Sequence, residues 1–479
     1  MDRGSQPDPC TGRTMKFASL FLFTCFTLST QAVAYGVKSG GETSTNKQGN
    51  NSFSMPANNL SISKRLDFSV GNSFFRNPWV QAPATTDARD GLGPLLNTNG
   101  CQNCHIKDGR GHPPEKGEDQ TVSMLVRMSI PAMTSAQKQQ LVFSGVIPEP
   151  NYGDQLEDFA IPNAAPEGKI RIDYNTLKVR FADGETIELR KPKVILHELA
   201  YGELHPDTML SARVAPPMIG LGLLESVSEQ TLVEIAKQQQ ENAEGISGKI
   251  NRVWDKQKQS TQIGRFGWKA GQPTLIQQDA AAFNGDMGLT STLFPDENCT
   301  DRQTICGELP NGNSQDEGVE VSNKILKFVE FYSQHLAVPI RRNLDDPQVQ
   351  KGQALFDKVG CASCHLPMMK TEKRDDLPSL SEQTIHPYTD LLVHDMGPGL
   401  ADNRPEFLAN GQEWRTPPLW GIGYTQEVSG HTYFLHDGRA RNLMEAILWH
   451  GGEAEQTKQR VMQLNRQDRD ALVAFLNSL

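Results

Sequence analysis

Two copies of the pattern Cys-x-x-Cys-His constrain this chain more than any other feature of its sequence. The residues concerned are Cys101, Cys104 and His105 in the first copy and Cys361, Cys364 and His365 in the second. At this spacing two thiols can add to the vinyl groups of one haem, and the adjacent histidine falls under the ring as an axial iron ligand. A redox-active cysteine pair or a zinc site explains one copy more easily than two. The sequence therefore predicts two covalently attached c-type haems, each with an iron atom.

The first 34 residues have the features of an export signal. Lys16 precedes an apolar run over residues 17–28, and Ala32 and Ala34 form a small-x-small cleavage signal. We predict a signal peptide that is removed after Ala34, with Met15 as an alternative start, and a buried helix is the other interpretation. An exported chain with two haem motifs is expected in a periplasm of the Gram-negative type. No part of the mature sequence reads as a membrane span.

Counting cysteines predicts one disulfide. Of the eight cysteines, two lie in the predicted signal peptide and four in the haem motifs, which leaves Cys299 and Cys306. They lie in a polar loop, and an oxidising compartment favours their pairing. Two free thiols are the alternative.

The charge of the chain limits its partners. The formal net charge is −10 at pH 7, and haem propionates would add further negative charge. Direct binding to nucleic acid or to an anionic membrane is therefore not expected. A basic redox protein fits this charge better as a partner.

The apolar pattern predicts a mainly α protein with two cytochrome c-like haem domains. Residues 35–67 are rich in Ser, Asn, Gly and Lys and are expected to be flexible. The N-terminal haem domain is placed at 68–344 and the C-terminal one at 345–479. Alternation between Lys169 and Leu196, around an Asp183-Gly184 turn, predicts a small β-hairpin or meander inserted into the first domain.

Two further patterns support a pair of related domains. A helix before the second motif and a C-terminal helix, capped at Asn465, give the crossing pair that is typical of cytochrome c. A weak internal repeat relates residues 215–222 (APPMIGLG) to 416–423 (TPPLWGIG). A fainter one relates 285–288 (GDMG) to 394–397 (HDMG).

Helical periodicity predicts the second axial ligand of the C-terminal haem. Asn442 begins a helix that Gly451 ends, and its apolar face continues from Leu443 and Ala446 to His450. A haem iron in this domain needs a sixth ligand, which favours His450. The competing residues are His394, Met368, Met369 and Met396. A methionine ligand would raise the reduction potential relative to two histidines.

Several stretches of the chain resemble the di-haem oxidoreductase family. They are residues 77–80 (NPWV), 101–110 (CQNCHIKDGR), 264–270 (GRFGWKA), 415–421 (RTPPLWG) and 435–452 (LHDGRARNLMEAILWHGG). Members of this family are called peroxidases or thiol oxidoreductases, and they are distantly similar to bacterial di-haem cytochrome c peroxidases. In those peroxidases a methionine stands where His450 falls here. The resemblance also implies that the N-terminal haem reacts with peroxide.

The repeat gives an expectation for the first haem. Aligning Leu232 with Leu443 places Gln239 at the position of His450 and Glu225 at that of His436. The first haem would then lack an equivalent ligand, so that its sixth site is either open to substrate or closed by another residue. The candidates for closing it are His112, His197, His205 and Met287. Glu225 is the predicted acid or base beside this haem.

These observations predict a periplasmic di-haem oxidoreductase of the peroxidase type. Electrons would pass between a bis-histidine C-terminal haem and a reactive N-terminal haem that meets a small oxidant or substrate. The alternative is a non-catalytic electron-transfer cytochrome with both irons six-coordinate. A calcium ion at residues 241–248 (ENAEGISG) stays without support, because this loop carries few carboxylates.

Overall fold

The structure is a computed structural model that describes residues 36–115, 122–241 and 245–479. The predicted signal peptide lies outside these residues. Within them no helix is long and apolar enough to cross a membrane.

The helices are mostly short, and seven of those described begin at a side chain that accepts a hydrogen bond from a free backbone N–H group. Thr134 and Gln137 form a capping box, and Gly145 ends that helix in the left-handed region. The α-helices of the described residues are α1 (Ile62–Arg76), α2 (Cys101–Cys104), α3 (Ser135–Ser144), α4 (Leu221–Glu225), α5 (Glu229–Glu241), α6 (Leu275–Met287), α7 (Asn323–His335), α8 (Pro347–Val359), α9 (Gly397–Leu400), α10 (Thr425–Ser429), α11 (Leu443–Leu448), α12 (Glu455–Met462) and α13 (Arg466–Ser478). Single 3-10 turns lie at Gly41–Thr43, Asp87–Arg89, Ile106–Asp108, Thr304–Gly307, Cys361–Ser363, Ile422–Tyr424 and Gly452–Ala454.

The strands form two-stranded antiparallel sheets. The prediction of a mainly α protein is therefore wrong. The strands in the described part of the chain are β1 (Leu95–Leu96), β2 (Met124–Ser129), β3 (Phe159–Ala160), β4 (Lys169–Arg180), β5 (Thr186–His197), β6 (Met209–Val214), β7 (Arg252–Asp255), β8 (Ser260–Ile263), β9 (Met369–Lys370), β10 (Thr384–Ile385), β11 (Val393–Asp395) and β12 (Glu413–Arg415). The pairs are β1–β3, β2–β6, β4–β5, β7–β8, β9–β10 and β11–β12. The described residues are 33% helical and 18% strand, which makes this a mixed α/β protein. The strands other than β4 and β5 are two to six residues long, which leaves little alternation of apolar and polar residues to detect.

The hairpin of β4 and β5 is present and longer than expected. Lys169 pairs with His197 at its base, and Arg180 pairs with Thr186 beside the turn. The turn packs against the C-terminal helix: the guanidinium of Arg469 lies 4.0 Å from the ring centre of Phe181. Arg469 Nη1 also lies 2.9 Å from Asp183 Oδ2. A segment from the first half of the chain is thereby fastened to the second.

The helix pair predicted around the second motif is in contact. The rings of Phe356 in α8 and Phe475 in α13 are 5.2 Å apart. Gly352 permits this approach, because a Cβ atom there would lie 1.9 Å from the carbonyl oxygen of Ala471.

The two copies of the APPMIGLG repeat lie against each other. Gly220 and Gly421 occupy matching positions and have φ values of +70° and +73°. Trp420 packs on Gly220, and Ile219 packs on Gly421. The repeat is therefore a mutual contact between the two halves of the chain.

The described chain from residue 36 onward belongs to one compact unit, Tyr35–Leu479. Part of the polar segment 36–61 is anchored through its backbone: Thr45 N–H donates to Val338 O at 3.0 Å, and Ala57 N–H donates to His335 O at 2.8 Å. The boundary between two haem domains at residue 345 stays a prediction.

The sulfur atoms of Cys299 and Cys306 are bonded, as the cysteine count predicts. The loop that they close is attached to buried carboxylates. Asn298 Nδ2 donates to Glu157 Oε1 at 3.1 Å, and Gln303 Nε2 donates to Glu167 Oε1.

Candidate functional site

Both Cys-x-x-Cys-His motifs line one continuous cavity, which we call the shared cavity. Its walls come from both halves of the chain, from Phe53 to Leu476. The four motif cysteines are free thiols. Burial raises the pKa of Cys361 to about 12 and that of Cys101 further. The thiols are therefore uncharged, and they face the same internal space.

Three histidines on the shared cavity are held in the same way, through Nδ1 and a backbone carbonyl. His105 Nδ1 lies 2.8 Å from Pro216 O, His365 Nδ1 lies 2.9 Å from Tyr388 O, and His450 Nδ1 lies 2.8 Å from Ala446 O. A carbonyl oxygen can only accept a hydrogen bond, so each Nδ1 carries the hydrogen and each Nε2 of the neutral ring keeps a lone pair. This tautomer suits a metal ligand.

Burial keeps these imidazoles neutral. Desolvation lowers the pKa of His105 and His365 to about 4, and it also lowers the pKa of His450. The proximity of His450 contributes to the lowered pKa of His365. The structure thus brings His365 and His450 to one region of the shared cavity.

The helix that precedes His450 is shorter than the sequence predicts. α11 ends at Leu448, with Trp449 as its C-cap, so that His450 lies just beyond the helix. The Asn442 cap is as predicted, because its side chain accepts from Glu445 N–H. His450 therefore owes its orientation to the Ala446 carbonyl.

The competing ligands near the second motif differ in placement. His394 uses both ring nitrogens, with Nε2 2.8 Å from Asp390 Oδ2 and Nδ1 2.7 Å from Glu453 Oε2. Met396 lines the shared cavity, whereas Met368 is exposed and Met369 packs in a separate core cluster. Ligation by His450 stays a prediction, with Met396 as its rival.

The alignment that matched Gln239 to His450 does not hold in space. Gln239 Nε2 donates to Ser363 O at 2.9 Å and to Asp390 Oδ2 at 2.8 Å. It therefore borders the second motif, although the alignment assigned it to the first. Similar local patterns in α5 and α11 did not imply equivalent positions.

Five arginines line the shared cavity: Arg110, Arg127, Arg213, Arg404 and Arg415. Burial lowers the pKa of Arg110, Arg404 and Arg415 to about 10. For these three side chains, burial therefore outweighs the attraction of nearby carboxylates. A buried guanidinium binds a planar anion, such as a carboxylate, through two parallel hydrogen bonds.

Arg110 and Arg415 have the least compensation. Arg415 Nε donates to Gly267 O at 2.9 Å, and Arg110 Nη2 donates to Leu435 O. These partners are backbone carbonyls and carry no full charge. In contrast, Arg439 is paired with Asp437, Nη2 to Oδ2 at 2.7 Å. Of these two side chains, Arg415 is therefore the better placed to bind a propionate.

A second part of the wall is a charge network. Arg213 Nη1 and Arg404 Nη1 lie 2.8 Å and 3.1 Å from Glu406 Oε2. Although burial opposes ionisation, these arginines hold the pKa of Glu406 at about 2. Within the described residues, Arg110 Nε, Arg213 Nη2 and Arg404 Nε have no hydrogen-bond partner. Buried N–H groups without partners indicate that this wall is built to face a further group.

Helix α6 supplies the polar wall beside the first motif, which sequence reasoning missed. Its cavity residues include Gln278, Asp279, Ala282, Asp286 and Met287. Asp279 and Asp286 both raise the pKa of Cys101, which places them near that thiol. The available signal was spacing, because Leu275, Asp279, Ala282 and Asp286 recur on one helical face.

The other candidates for the first motif lie as follows. Met287 is buried and lines the shared cavity, as does Met396, its match in the fainter repeat. His112 Nδ1 is bonded to Pro113 O at 2.8 Å, and its ring packs on His431. His197 ends β5 beside Glu198, and His205 accepts from Asp207 N–H. Of these side chains, Met287 is the one placed on the cavity wall.

Glu225 lies behind the wall. Its Oε1 accepts from Leu275 N–H at 2.8 Å, and its Oε2 accepts from Gln334 Nε2 at 2.9 Å. Both oxygens therefore join α4 to α6 and α7. A direct catalytic role for Glu225 stays a prediction that these hydrogen bonds do not support.

The residues fit two haems. Each motif offers two neutral thiols and a histidine with a free Nε2 lone pair, and the cavity wall offers buried arginines for propionates. The whole chain was also compared with known proteins. Residues 34–479 match the family described as "Di-haem oxidoreductase, putative peroxidase".

The chain belongs to the di-haem oxidoreductase family.

The family match spans both motifs and every cavity arginine. The family implies haem as the cofactor of an oxidoreductase. No curated protein shows significant sequence similarity to it. A solved chain of Kuenenia stuttgartiensis hydrazine synthase under xenon is 21% identical, over 34% of this chain and 57% of that one, with a TM-score of 0.23. The di-haem oxidoreductase thus spans little more than half of that chain.

Proposed function

We propose that this di-haem oxidoreductase is an exported, periplasmic c-type cytochrome that reduces a small oxidant, hydrogen peroxide or a related compound. Cys101 and Cys104 would hold one haem covalently, and Cys361 and Cys364 the other. The electrons would come from a basic redox protein, in keeping with the acidic chain.

The observation that carries this proposal is the shared cavity. One internal space joins the two motifs, and only the part beside the first motif is bordered by α6 with its carboxyl and amide groups. Reduction of an oxygen-containing substrate consumes protons, and such groups can supply them. Beside the second motif, His450 offers a nitrogen lone pair that can close the sixth position of an iron.

Bound haem would supply one-electron redox chemistry at each motif. The protein's own groups set the rest. The carbonyls of Pro216 and Tyr388 fix the tautomer of His105 and His365. Arg110 and Arg415 would bind propionates and orient each ring. The mostly apolar lining excludes water, which strengthens these charge interactions.

The asymmetry of the two sixth positions gives each site its role. We assign His365 and His450 to the C-terminal haem, which accepts electrons from the partner. We assign His105 to the N-terminal haem, whose distal position stays available to the substrate. Met287 lies on this wall, and its ligation would close the position and convert the protein into a pure electron carrier. That electron-transfer cytochrome is the second candidate function.

The test is spectroscopy of the haem-loaded protein, followed by turnover. Paramagnetic resonance and resonance Raman spectra in the oxidised, mixed-valence and reduced states report the ligation of each haem. Addition of peroxide to the reduced protein should then reoxidise it and consume peroxide catalytically with an artificial donor. Two six-coordinate haems that ignore peroxide in every redox state would establish the electron carrier instead.

The matched variants are Met287→Leu and Met396→Leu. If the first haem is open, neither substitution changes its spin state. If Met287 closes it, Met287→Leu alone creates a high-spin haem and peroxide reactivity.

A further inference from the structure

Asp279 is a buried carboxyl group on the wall of the shared cavity with an unused oxygen atom. Its residue is 7% exposed, and Oδ2 has no hydrogen-bond partner among the described residues. The other oxygen accepts one long bond, from Ser333 Oγ at 3.4 Å. A buried carboxylate this poorly bonded is unfavourable, so the group is held as the neutral acid.

Two further carboxyl groups face Asp279 from neighbouring helices. Gln334 Nε2 donates to Glu225 Oε2 at 2.9 Å and to Glu330 Oε1 at 3.4 Å, which ties these two side chains together. Burial and then Glu330 raise the pKa of Asp279 well above its usual value. Burial and then Glu225 raise the pKa of Glu330 to about 7.

Charged side chains surround Glu330, which is the outermost of the three carboxyl groups. Lys327 and Arg374 lower the pKa of Glu330, while Asp376 raises it. Glu330 is half-buried, whereas Asp279 reaches the cavity. The three carboxyl groups therefore lead from the rim of α7 through α4 to the cavity face of α6.

Asp286, the other α6 carboxyl on the cavity, differs in its surroundings. Burial raises the pKa of Asp286, but this rise is opposed by the charge of Arg127 and by the hydrogen bond that Oδ1 accepts from Gln155 Nε2 at 2.9 Å. Asp279 has no such help, because its charged neighbours Glu330 and Glu225 both raise its pKa. Of the two, Asp279 is the better store for a transferable proton.

We propose that Glu330, Glu225 and Asp279 form a proton-uptake route that delivers protons from solvent to the shared cavity beside the first motif. The inference rests on the proposed function. Reduction of hydrogen peroxide breaks the O–O bond and takes up two electrons, from the reduced partner protein, and two protons, giving two molecules of water. Asp279 donates to the oxygen in the cavity, and Glu330 restores its proton from solvent. Glu225 relays between them, which gives this residue a function behind the wall.

Asp279→Asn is the central variant, because asparagine keeps the size of the side chain and cannot donate an acid proton. Infrared difference spectra of the haem-loaded protein, without peroxide, should show the C=O stretch of a protonated buried carboxylic acid. The band should vanish in Asp279→Asn. Peroxide turnover should fall roughly 100-fold or more, the usual size of an acid–base contribution.

Glu330→Gln tests the outer end of the route and stays informative if Asp279→Asn does not fold. It should keep the infrared band and slow turnover mainly at high pH, where proton supply limits the rate. The matched control is Asp375→Asn, because Asp375 has a side chain 90% exposed beside Lys373. This variant should behave as the wild type in both measurements.

The outcomes separate the route from the function. If the wild type consumes peroxide and Asp279→Asn does so equally fast, the route is wrong and the proposed function stands. If the wild type ignores peroxide, the proposed function fails, and the infrared band still reports on Asp279. Absence of the band in the wild type, or its persistence in Asp279→Asn, overturns the route whatever the activity.

Discussion

The indole of Trp420 fills the space that a side chain on Gly220 would need, since a Cβ atom there would lie 2.3 Å from Trp420 Cζ2. Gly220 also has a φ of +70°, which residues with side chains rarely adopt. Each of these residues belongs to one copy of the internal repeat. The contact between the two halves of the chain therefore depends on a glycine at this position.

Gly220→Ala should destabilise the protein by about 2–4 kcal/mol, the sum of backbone strain and overpacking. Gly153→Ala is the matched control, because Gly153 has a φ of +76° with no atom near its Cβ position. It should lose only the strain, about 1–2 kcal/mol. Denaturant unfolding of both variants measures the difference, and equal losses would contradict the role of Trp420.

Arg415→Met should have opposite effects on the protein without and with haem. Without haem the guanidinium donates hydrogen bonds only to carbonyls, and its burial outweighs the attraction of Asp390, so that removal of its charge should raise the free energy of unfolding. With haem the propionate would lose its partner, and stability should fall, by about 3–5 kcal/mol if the pair is fully buried. Arg439→Met leaves the buried carboxylate of Asp437 without its partner. This variant should therefore be less stable both without and with haem. A single sign for Arg415→Met in both forms would argue against propionate binding.

His450→Ala should abolish the low-spin spectrum of the C-terminal haem, because no other neutral imidazole with a free nitrogen is placed there in the described chain. His450→Met should restore a low-spin state and raise the reduction potential, since thioether ligands favour ferrous iron. His394→Gln is the control and should stay low-spin, because both ring nitrogens of His394 already bond to carboxylates. An unchanged spectrum in His450→Ala would assign the site to Met396.

Asp158 should make the protein less stable as the pH rises from about 4 to 7. Burial raises the pKa of Asp158 from 3.8 to about 7 in the folded protein. The folded state therefore holds a proton that the unfolded state releases, and stability falls with pH across this window. Asp158→Asn should remove up to about 1.4 kcal/mol of this fall per pH unit. Unfolding curves at several pH values test this, and parallel pH profiles of variant and wild type would contradict it.

The parts of the site that depend on local chemistry can be predicted from the sequence. The two motifs, the disulfide cysteines and the caps at Asn442 and Asn465 follow from spacing over a few residues, and the structure has the disulfide and both caps. The β4–β5 hairpin could also be predicted, because apolar and polar residues alternate along much of its twelve-residue strands.

The parts that failed depend on contacts between distant segments. The ten other strands are two to six residues long, which is too short for an alternation of apolar and polar residues to be visible. For this reason the sequence predicts a mainly α protein. The Gln239 match failed because similar helical patterns carry no information on which motif a helix faces. The sequence does not single out Asp279, because one acidic residue in an apolar helix indicates a function only when the cavity beside it is known.

The bond between Arg469 and Glu185 has a consequence for the order of events in the cell. These residues are 284 positions apart, and the walls of the shared cavity extend to Leu476. Contacts of such long range form late in folding, and this one must wait until α13 has been synthesised. Cys101 and Cys104 therefore leave the ribosome well before their surroundings close. The time for which these thiols stay accessible to other molecules is set by the synthesis of α13.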